Sequence, residues 1–282
     1  MEKKDVENLE IDLMLEAIVQ RYGYDFRNYS KASIERRVKQ AKVKFGCKEI
    51  TDLTCQLLHN PSFFQELVSN FSITVTEMFR DPHVYRSLRE KVIPYLATYP
   101  FIKVWHAGCS TGEEVYSLAI LLHEADLLRR TTIYATDFNE TALNTARDGI
   151  YPIEQIKEYI ENYKSSGGTE SFAQYYHAEY DEVIMSHFLK KNMTFARHNL
   201  ATDQVFGEMH LILCRNVLIY FNKKLQERVL KLFNNSLAHN SFLCLGSKET
   251  IRFSEVKDQF TEFDKELKIF RKKISPYDTQ RI

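Results

Sequence analysis

The N-terminal part of the chain carries its apolar positions at helical spacing. In the first helix, predicted over 9–21, Leu9, Leu13 and Ile18 lie near one face. The same kind of pattern predicts three further helices, over 31–45, 49–59 and 61–70. Residues 1–75 are therefore predicted to form a small, all-helical N-terminal domain.

Later in the chain, short apolar runs alternate with amphipathic helices. Ile102, Val104 and Trp105 predict a buried strand, and residues 113–123 predict the helix that follows it. Further elements follow in alternation, with strands predicted over 132–136, 193–198, 211–214, 242–245 and 267–271 and helices over 139–147 and 223–238. This order predicts an α/β domain with a parallel sheet over 98–282, joined to the N-terminal domain by a linker helix region over 76–97.

One segment interrupts the alternation between the second and third strands of this domain. It begins with a polar helix predicted over 153–164, which ends in Ser165-Ser-Gly-Gly168. A β-hairpin is then predicted over 172–186, turning near 178–181. We interpret residues 151–192 as a small helix and β-hairpin subdomain inserted into the α/β domain.

Composition narrows the class of protein. The 282 residues are 44% hydrophobic, enough for a sizeable core, and 38 Lys and Arg balance 38 Asp and Glu. That balance gives no global charge for binding nucleic acid or a membrane. Five cysteines without metal-ligand spacing indicate reduced thiols and no metal site. The chain has no apolar leader or membrane-length apolar run, so we expect a cytoplasmic protein.

The turn after the first strand predicts a nucleotide site. Gly108 and Gly112 bracket it, and Asp137 ends the next strand, where a carboxylate can accept the hydroxyls of a ribose. The spacing is G-x-x-x-G, and Cys109 and Ser110 occupy positions where a pyrophosphate would need bare backbone. The turn therefore suits adenosine without phosphate, which favours S-adenosylmethionine. The alternative is a plain α/β turn followed by a helix-capping Asp.

Taken together, the motifs resemble those of the CheR family, the chemotaxis-receptor protein-glutamate methyltransferases. The resemblance covers nearly the whole chain, and its motifs occur in the family's order. They are Tyr29-Ser-Lys-Ala-Ser-Ile-Glu-Arg-Arg37, Thr74-Val-Thr-Glu-Met-Phe-Arg80, Ala107-Gly-Cys-Ser-Thr-Gly-Glu-Glu-Val-Tyr-Ser117, Ala135-Thr-Asp137, His198-Asn-Leu200 and Cys214-Arg-Asn-Val-Leu-Ile-Tyr-Phe221. Departures include Thr74, Met78 and Val115, and Gly246-Ser-Lys-Glu249 follows the family's G-H-S-E only in part.

The resemblance implies a class I S-adenosylmethionine-dependent methyltransferase domain of Rossmann-like α/β fold, beside the helical N-terminal domain. It implies that S-adenosylmethionine is contacted by Thr74, Thr76, Arg80, Glu113, Asp137, Asn199, Leu200, Arg215 and Asn216. Arg80 would pair with the cofactor's carboxylate and Glu113 with its ammonium group. Arg215 and Asn216 would lie near the transfer site as catalytic residues, and Tyr220 would help to shape the acceptor pocket.

The implied reaction methylates glutamate γ-carboxylates of methyl-accepting chemotaxis receptors, giving glutamate methyl esters and S-adenosylhomocysteine. A carboxylate is already ionised near pH 7 and needs no general base. Three alternative functions stay open beside glutamate methylation of chemotaxis receptors. They are a methyltransferase for nucleic acid or a small molecule, a CheR-like methyltransferase for another signalling protein, and a cofactor-binding scaffold without activity.

The second predicted helix is strongly basic. Seven Lys and Arg stand between residues 31 and 48 against the single Glu35. We expect Arg36, Arg37 and Lys39 to dock the helical cytoplasmic region of a receptor, with a receptor C-terminal tail as a further candidate partner. The alternative is a solvated helix face. The chain is expected to act as a monomer, without nucleic acid and without membrane insertion.

Overall fold

The computed structural model describes residues 2–71 and 76–274. Its N-terminal part is helical, as the apolar spacing predicts. Four helices share one core built around Met14, Ile18, Val38 and Leu53. They are α1 (Lys3–Tyr22), α2 (Lys31–Lys44), α3 (Ile50–His59) and α4 (Pro61–Phe71). Gly23 ends α1 in the left-handed conformation at φ 74°, which glycine adopts without steric cost.

A helical segment then leads into the sheet. It consists of α5 (Pro82–Ser87), a π-helical turn (Leu88–Val92) and α6 (Ile93–Leu96), where the sequence predicts one helix over 83–97. The turn widens beside Pro94, which has no N–H to donate to the carbonyl four residues earlier. The N–H of the preceding residue, Ile93, donates to the Leu88 carbonyl five residues earlier, which is the hydrogen-bond pattern of a π-helix.

A seven-stranded sheet forms the centre of the second part, in the order β6-β2-β1-β7-β8-β10-β9. The first five strands in this order pair in parallel, and the sixth pairs antiparallel with both of its neighbours. The strands are β1 (Ile102–Ala107), β2 (Thr131–Asp137), β6 (Met193–Arg197), β7 (Met209–Cys214), β8 (Leu237–Leu245), β9 (Phe260–Asp264) and β10 (Ile269–Lys272). Helices α7 (Glu113–Glu124), α8 (Glu140–Asp148) and α11 (Lys223–Ser236) connect the parallel strands. The predicted Rossmann-like α/β class is confirmed.

The segment between β2 and β6 folds into a second, antiparallel sheet of order β3-β5-β4. Its elements are β3 (Ile150–Pro152), α9 (Ile156–Ser165), β4 (Tyr176–Glu179), β5 (Glu182–Met185) and α10 (His187–Lys190). The predicted hairpin is confirmed and turns at Tyr180 and Asp181. Strand β3 was not predicted, since the sequence predicts no strand between the helices over 139–147 and 153–164.

Two further elements differ from the sequence prediction. Strand β9 was not predicted, and β8 begins at Leu237, inside the helix predicted over 223–238. Within residues 2–71 and 76–274, no helix is long and apolar enough to cross a membrane.

Candidate active site

A cleft of about 310 Å³ opens at the carboxyl ends of the parallel strands. Ligands bind at this edge in open α/β sheets, because the loops that follow neighbouring strands converge there. The cleft brings together most of the residues that the sequence analysis proposed. These are Thr76, Arg80, Asp137, Asn199, Leu200, Arg215, Asn216 and Tyr220. Thr74 lies outside the described residues.

The turn after β1 and the end of β2 form one wall of the cleft. Gly108 has φ 76°, and a Cβ there would lie 2.6 Å from a methyl carbon of Val217, so only glycine fits. The Ser110 N–H donates to Asp137 Oδ2 at 2.9 Å, and the Asn139 N–H donates to Oδ1 at 2.9 Å. Burial raises the pKa of Asp137, although these backbone donors oppose the shift. Both carboxylate oxygens keep lone pairs for further donors.

The two glutamates that begin α7 differ in position. Glu113 is not among the residues that line the cleft; its side chain is 5% exposed and accepts a hydrogen bond from Thr111 Oγ1 at 2.8 Å. Burial raises its pKa to about 7. Glu114 lines the cleft instead. The contact of Glu113 with the cofactor therefore stays a prediction, and Glu114 is the member of the pair that lines the cleft.

Glu114 belongs to a buried ionic network around Arg215. The Arg215 guanidinium forms a close ion pair with Glu114 and a second one with Asp81 at 2.6 Å. It also donates to the Arg80 carbonyl at 2.9 Å, while the Tyr85 hydroxyl donates to Glu114 at 3.1 Å. Arg215 is thus locked between β7, α7 and the segment that carries Arg80.

The loop that follows β7 carries Asn216 at φ 61°, in the left-handed region. Its side-chain Oδ1 is buried and has no hydrogen-bond partner within residues 2–71 and 76–274. The Asn216 N–H donates to the carboxylate of Glu249, 3.2 Å away. Asn216 as a residue lines the cleft, and a buried polar atom without a partner calls for an explanation.

Asn199 and Leu200 follow β6 and bound the far end of the cleft. The Asn199 Oδ1 accepts from the Ala201 N–H at 3.0 Å, and its own N–H donates to Asp203 at 2.9 Å. Leu200 is 6% exposed and offers an apolar wall. No group of His, Cys, Asp and Glu that could hold a metal occurs in the described part of the chain.

The chain matches two family models over nearly its full length. Residues 74–269 match "CheR methyltransferase, SAM binding domain", and residues 9–72 match "CheR methyltransferase, all-alpha domain". The chain belongs to the CheR methyltransferase family. Its cofactor is S-adenosylmethionine, as the glycine turn and Asp137 predict.

Individual relatives agree with this assignment. The chain is 53% identical over 265 residues to "Putative methyltransferase Cher3" of Pseudomonas putida, covering 94% of this chain and 97% of that protein. It is 30% identical over 258 residues to "Chemotaxis protein methyltransferase" of Borreliella burgdorferi, covering 86% and 88%. The protein of that name from Salmonella typhimurium is 28% identical over 256 residues, with 86% and 84% covered.

The all-alpha part of this CheR chain also reaches the cleft, through Tyr29 and Phe71. Tyr29 forms an antiparallel bridge with Phe221, and the Ser30 N–H donates to the Tyr220 carbonyl at 2.7 Å. These contacts could not be predicted from the sequence, because they join residues nearly 200 positions apart. No local pattern reports such a pairing.

Arg37, which was predicted to belong to the docking surface, is buried. It is 3% exposed, donates to Ser33 and to the Phe71 carbonyl, and lies over the Tyr220 ring at 5.1 Å. It therefore ties α2 to the wall of the cleft. Sequence spacing could have revealed this, since Arg37 is three residues from Ile34 and four from Ala41, on the apolar face of the helix.

Proposed function

We propose that this protein methylates glutamate γ-carboxylates in the helical cytoplasmic region of methyl-accepting chemotaxis receptors. The products would be glutamate methyl esters and S-adenosylhomocysteine. Support comes from the family, from relatives named chemotaxis protein methyltransferase, and from the composition of the cleft. When bound, S-adenosylmethionine supplies a methyl group on a positively charged sulfur.

The cleft offers groups of matching charge for each part of the cofactor. Arg80 would hold the carboxylate through a two-pronged contact that a lysine cannot make. Glu114, which lines the cleft, would face the ammonium group, and its neighbour Glu113, which the family resemblance implies, is the alternative. Asp137 would accept from the ribose hydroxyls through its remaining lone pairs.

The other lining residues complete the proposed arrangement. Asn199 would hydrogen-bond the adenine edge, with Leu200 as its apolar wall. Thr76 and, by family resemblance, Thr74 would add hydroxyl contacts. Asn216, Arg215 and Tyr220 would lie nearest the incoming acceptor, where Tyr220 shapes the acceptor pocket.

The choice of a carboxylate as methyl acceptor rests on the hydrogen bonds and ion pairs that the acidic side chains of the cleft already make. Asp137 accepts two backbone N–H bonds, and Glu114 is paired with Arg215. Neither is placed as a free base for a hydroxyl or amine acceptor. A glutamate side chain is ionised near pH 7 and requires none, so the chain's contribution is positioning and exclusion of water.

The methylated product should be a carboxyl methyl ester. A receptor cytoplasmic fragment labelled with radioactive methyl groups should release volatile methanol in mild alkali, because esters hydrolyse there and N-methyl groups do not. The Asp137→Ala variant serves as the low-activity control. Alkali-stable label would rule out the carboxylate acceptor, and labelling of a different signalling protein alone would redirect the substrate assignment.

Receptor docking is assigned to the exposed basic face of α2, formed by Arg36, Lys39 and Lys44. Lys39 pairs with Glu7 at 3.2 Å, and both side chains are solvent-accessible, so this pair leaves the face basic. An acidic helical surface on the receptor would complement it. Arg37 is excluded from this face because it is buried.

Reversing Arg36 and Lys39 to Glu should raise the KM for the receptor about tenfold at low salt, because surface charge accelerates encounter. The salt dependence of KM should flatten, since salt screens charges over about 10 Å at 0.1 M. The dissociation constant for S-adenosylmethionine should not change. Lys257→Glu with Lys265→Glu makes the same charge change elsewhere and should leave KM alone. Equal effects of the two pairs would withdraw the docking role.

A further inference from the structure

Glu249 is a buried side chain outside the cleft, and the reaction proposed above assigns it no part. We propose that it is a positioning residue, which holds the loop 215–220 so that Asn216 and Tyr220 face the acceptor. This inference rests on the proposed function for the identity of the acceptor. Glu249 would act entirely through the loop, since it does not line the cleft itself.

Among the described residues, the carboxylate of Glu249 accepts its hydrogen bonds from backbone N–H groups. Its Oε1 accepts from Val217 at 2.8 Å and from Ile219 at 3.3 Å. Its Oε2 accepts from Gly246 at 2.6 Å and from Asn216 at 3.2 Å. Three of these four donors belong to the loop, and the fourth follows β8.

This arrangement resembles an anion-binding nest with the anion built into the chain. Glu249 is 4% exposed, and within residues 2–71 and 76–274 no Lys or Arg pairs with it. Burial raises the pKa of Glu249, and the converging N–H dipoles oppose that shift, because they make stronger bonds to a carboxylate than to a neutral oxygen. Without the carboxylate, several of these donors would be left buried and unpaired.

The bonds also select an uncommon backbone conformation. Asn216 has φ 61°, which costs a non-glycine residue energy unless its surroundings hold it there. At Gly246, a Cβ would lie 2.8 Å from the Asn216 nitrogen and 2.9 Å from Glu249 Oε2. The close approach of β8 to the loop therefore requires glycine at position 246, where the Gly246 N–H also donates to Glu249 Oε2.

Glu249 fixes the middle of a loop whose ends are held separately. Arg215 is held by Glu114 and Asp81, and the Tyr220 carbonyl accepts from Ser30. Between these ends, the direction of the Asn216 side chain depends on Glu249. Displacement of a positioned group by about 1 Å can cost 10²-fold in rate, while cofactor contacts on the other walls persist.

The test is Glu249→Gln, which keeps the side-chain shape but replaces one accepting oxygen by a donor. We expect kcat for receptor methylation to fall about 10- to 100-fold. The calorimetric dissociation constant for S-adenosylmethionine should change less than about threefold, because Asp137, Arg80 and Glu114 are untouched and Asn216 is the one implied cofactor contact that Glu249 positions. Glu262→Gln, an exposed carboxylate paired with Arg252 at 3.0 Å, is the matched control and should behave as wild type.

An unchanged kcat, or a parallel loss of kcat and cofactor affinity, would overturn the proposal. Amide hydrogen exchange on the wild-type protein provides a test that needs no variant. The N–H groups of 216, 217 and 246 should be protected well beyond ordinary loop amides, and fast exchange there would also overturn it. Wild-type protein that binds cofactor but methylates no receptor glutamate would instead refute the proposed function, and amide exchange would then decide the role of Glu249.

Discussion

Replacing Asp137 by alanine is expected to raise the dissociation constant for S-adenosylmethionine about 10- to 100-fold. The carboxylate is the proposed acceptor for the ribose hydroxyls, and hydrogen bonds to a charged group contribute about 1.5–3 kcal/mol. The side chain lines the cleft at the end of β2, and two backbone bonds fix its orientation. Isothermal titration calorimetry measures the affinity directly.

Two further variants test whether a loss of affinity is specific to the Asp137 carboxylate. Asp148→Ala removes an exposed carboxylate from the helix that follows the same strand and should leave affinity unchanged. Asp137→Asn keeps one oxygen acceptor and should fall between wild type and alanine. If a folded Asp137→Ala protein binds as tightly as wild type, Asp137 serves only to accept the Ser110 and Asn139 N–H bonds, and it leaves the cofactor site.

The location of the cleft could be predicted from the sequence for a simple geometric reason. Gly108, Asp137, Asn199 and Arg215 each follow a segment that the sequence predicts to be a strand. Parallel strands present their carboxyl ends at one edge, so strand prediction alone brings these residues together. Thr76, Arg80 and Tyr220 do not directly follow a strand, and they were foreseen only through the family resemblance.

It was harder to predict which side chains of a helix point into the cleft. Glu113 and Glu114 are adjacent in the first turn of α7, and successive helical residues point about 100° apart. Both are buried, so hydrophobic periodicity does not indicate which one reaches the cleft. Strand β3 was not predicted for a related reason, because its three residues are too few to show an alternation of apolar and polar positions.

Replacing Arg215 by methionine is expected to lower the free energy of unfolding by about 3–5 kcal/mol, because it leaves the buried Glu114 charge without its partner. The Arg215 side chain is fully buried and that of Glu114 is 6% exposed, while Asp81, at 50%, can be solvated. Urea denaturation of the whole chain measures the loss. Arg252→Met, which breaks an exposed pair with Glu262, should cost no more than about 1 kcal/mol.

The double variant Arg215→Met with Glu114→Gln separates charge burial from chemistry. Removing both charges takes away the unpaired ion, so most of the lost stability should return. Methyl transfer should stay impaired, because the proposed ammonium contact and the guanidinium beside the acceptor are both gone. If the double variant is as unstable as Arg215→Met alone, the network matters through the Arg80 carbonyl and Asp81 rather than through Glu114. If it recovers activity together with stability, Arg215 is a structural residue and leaves the catalytic set.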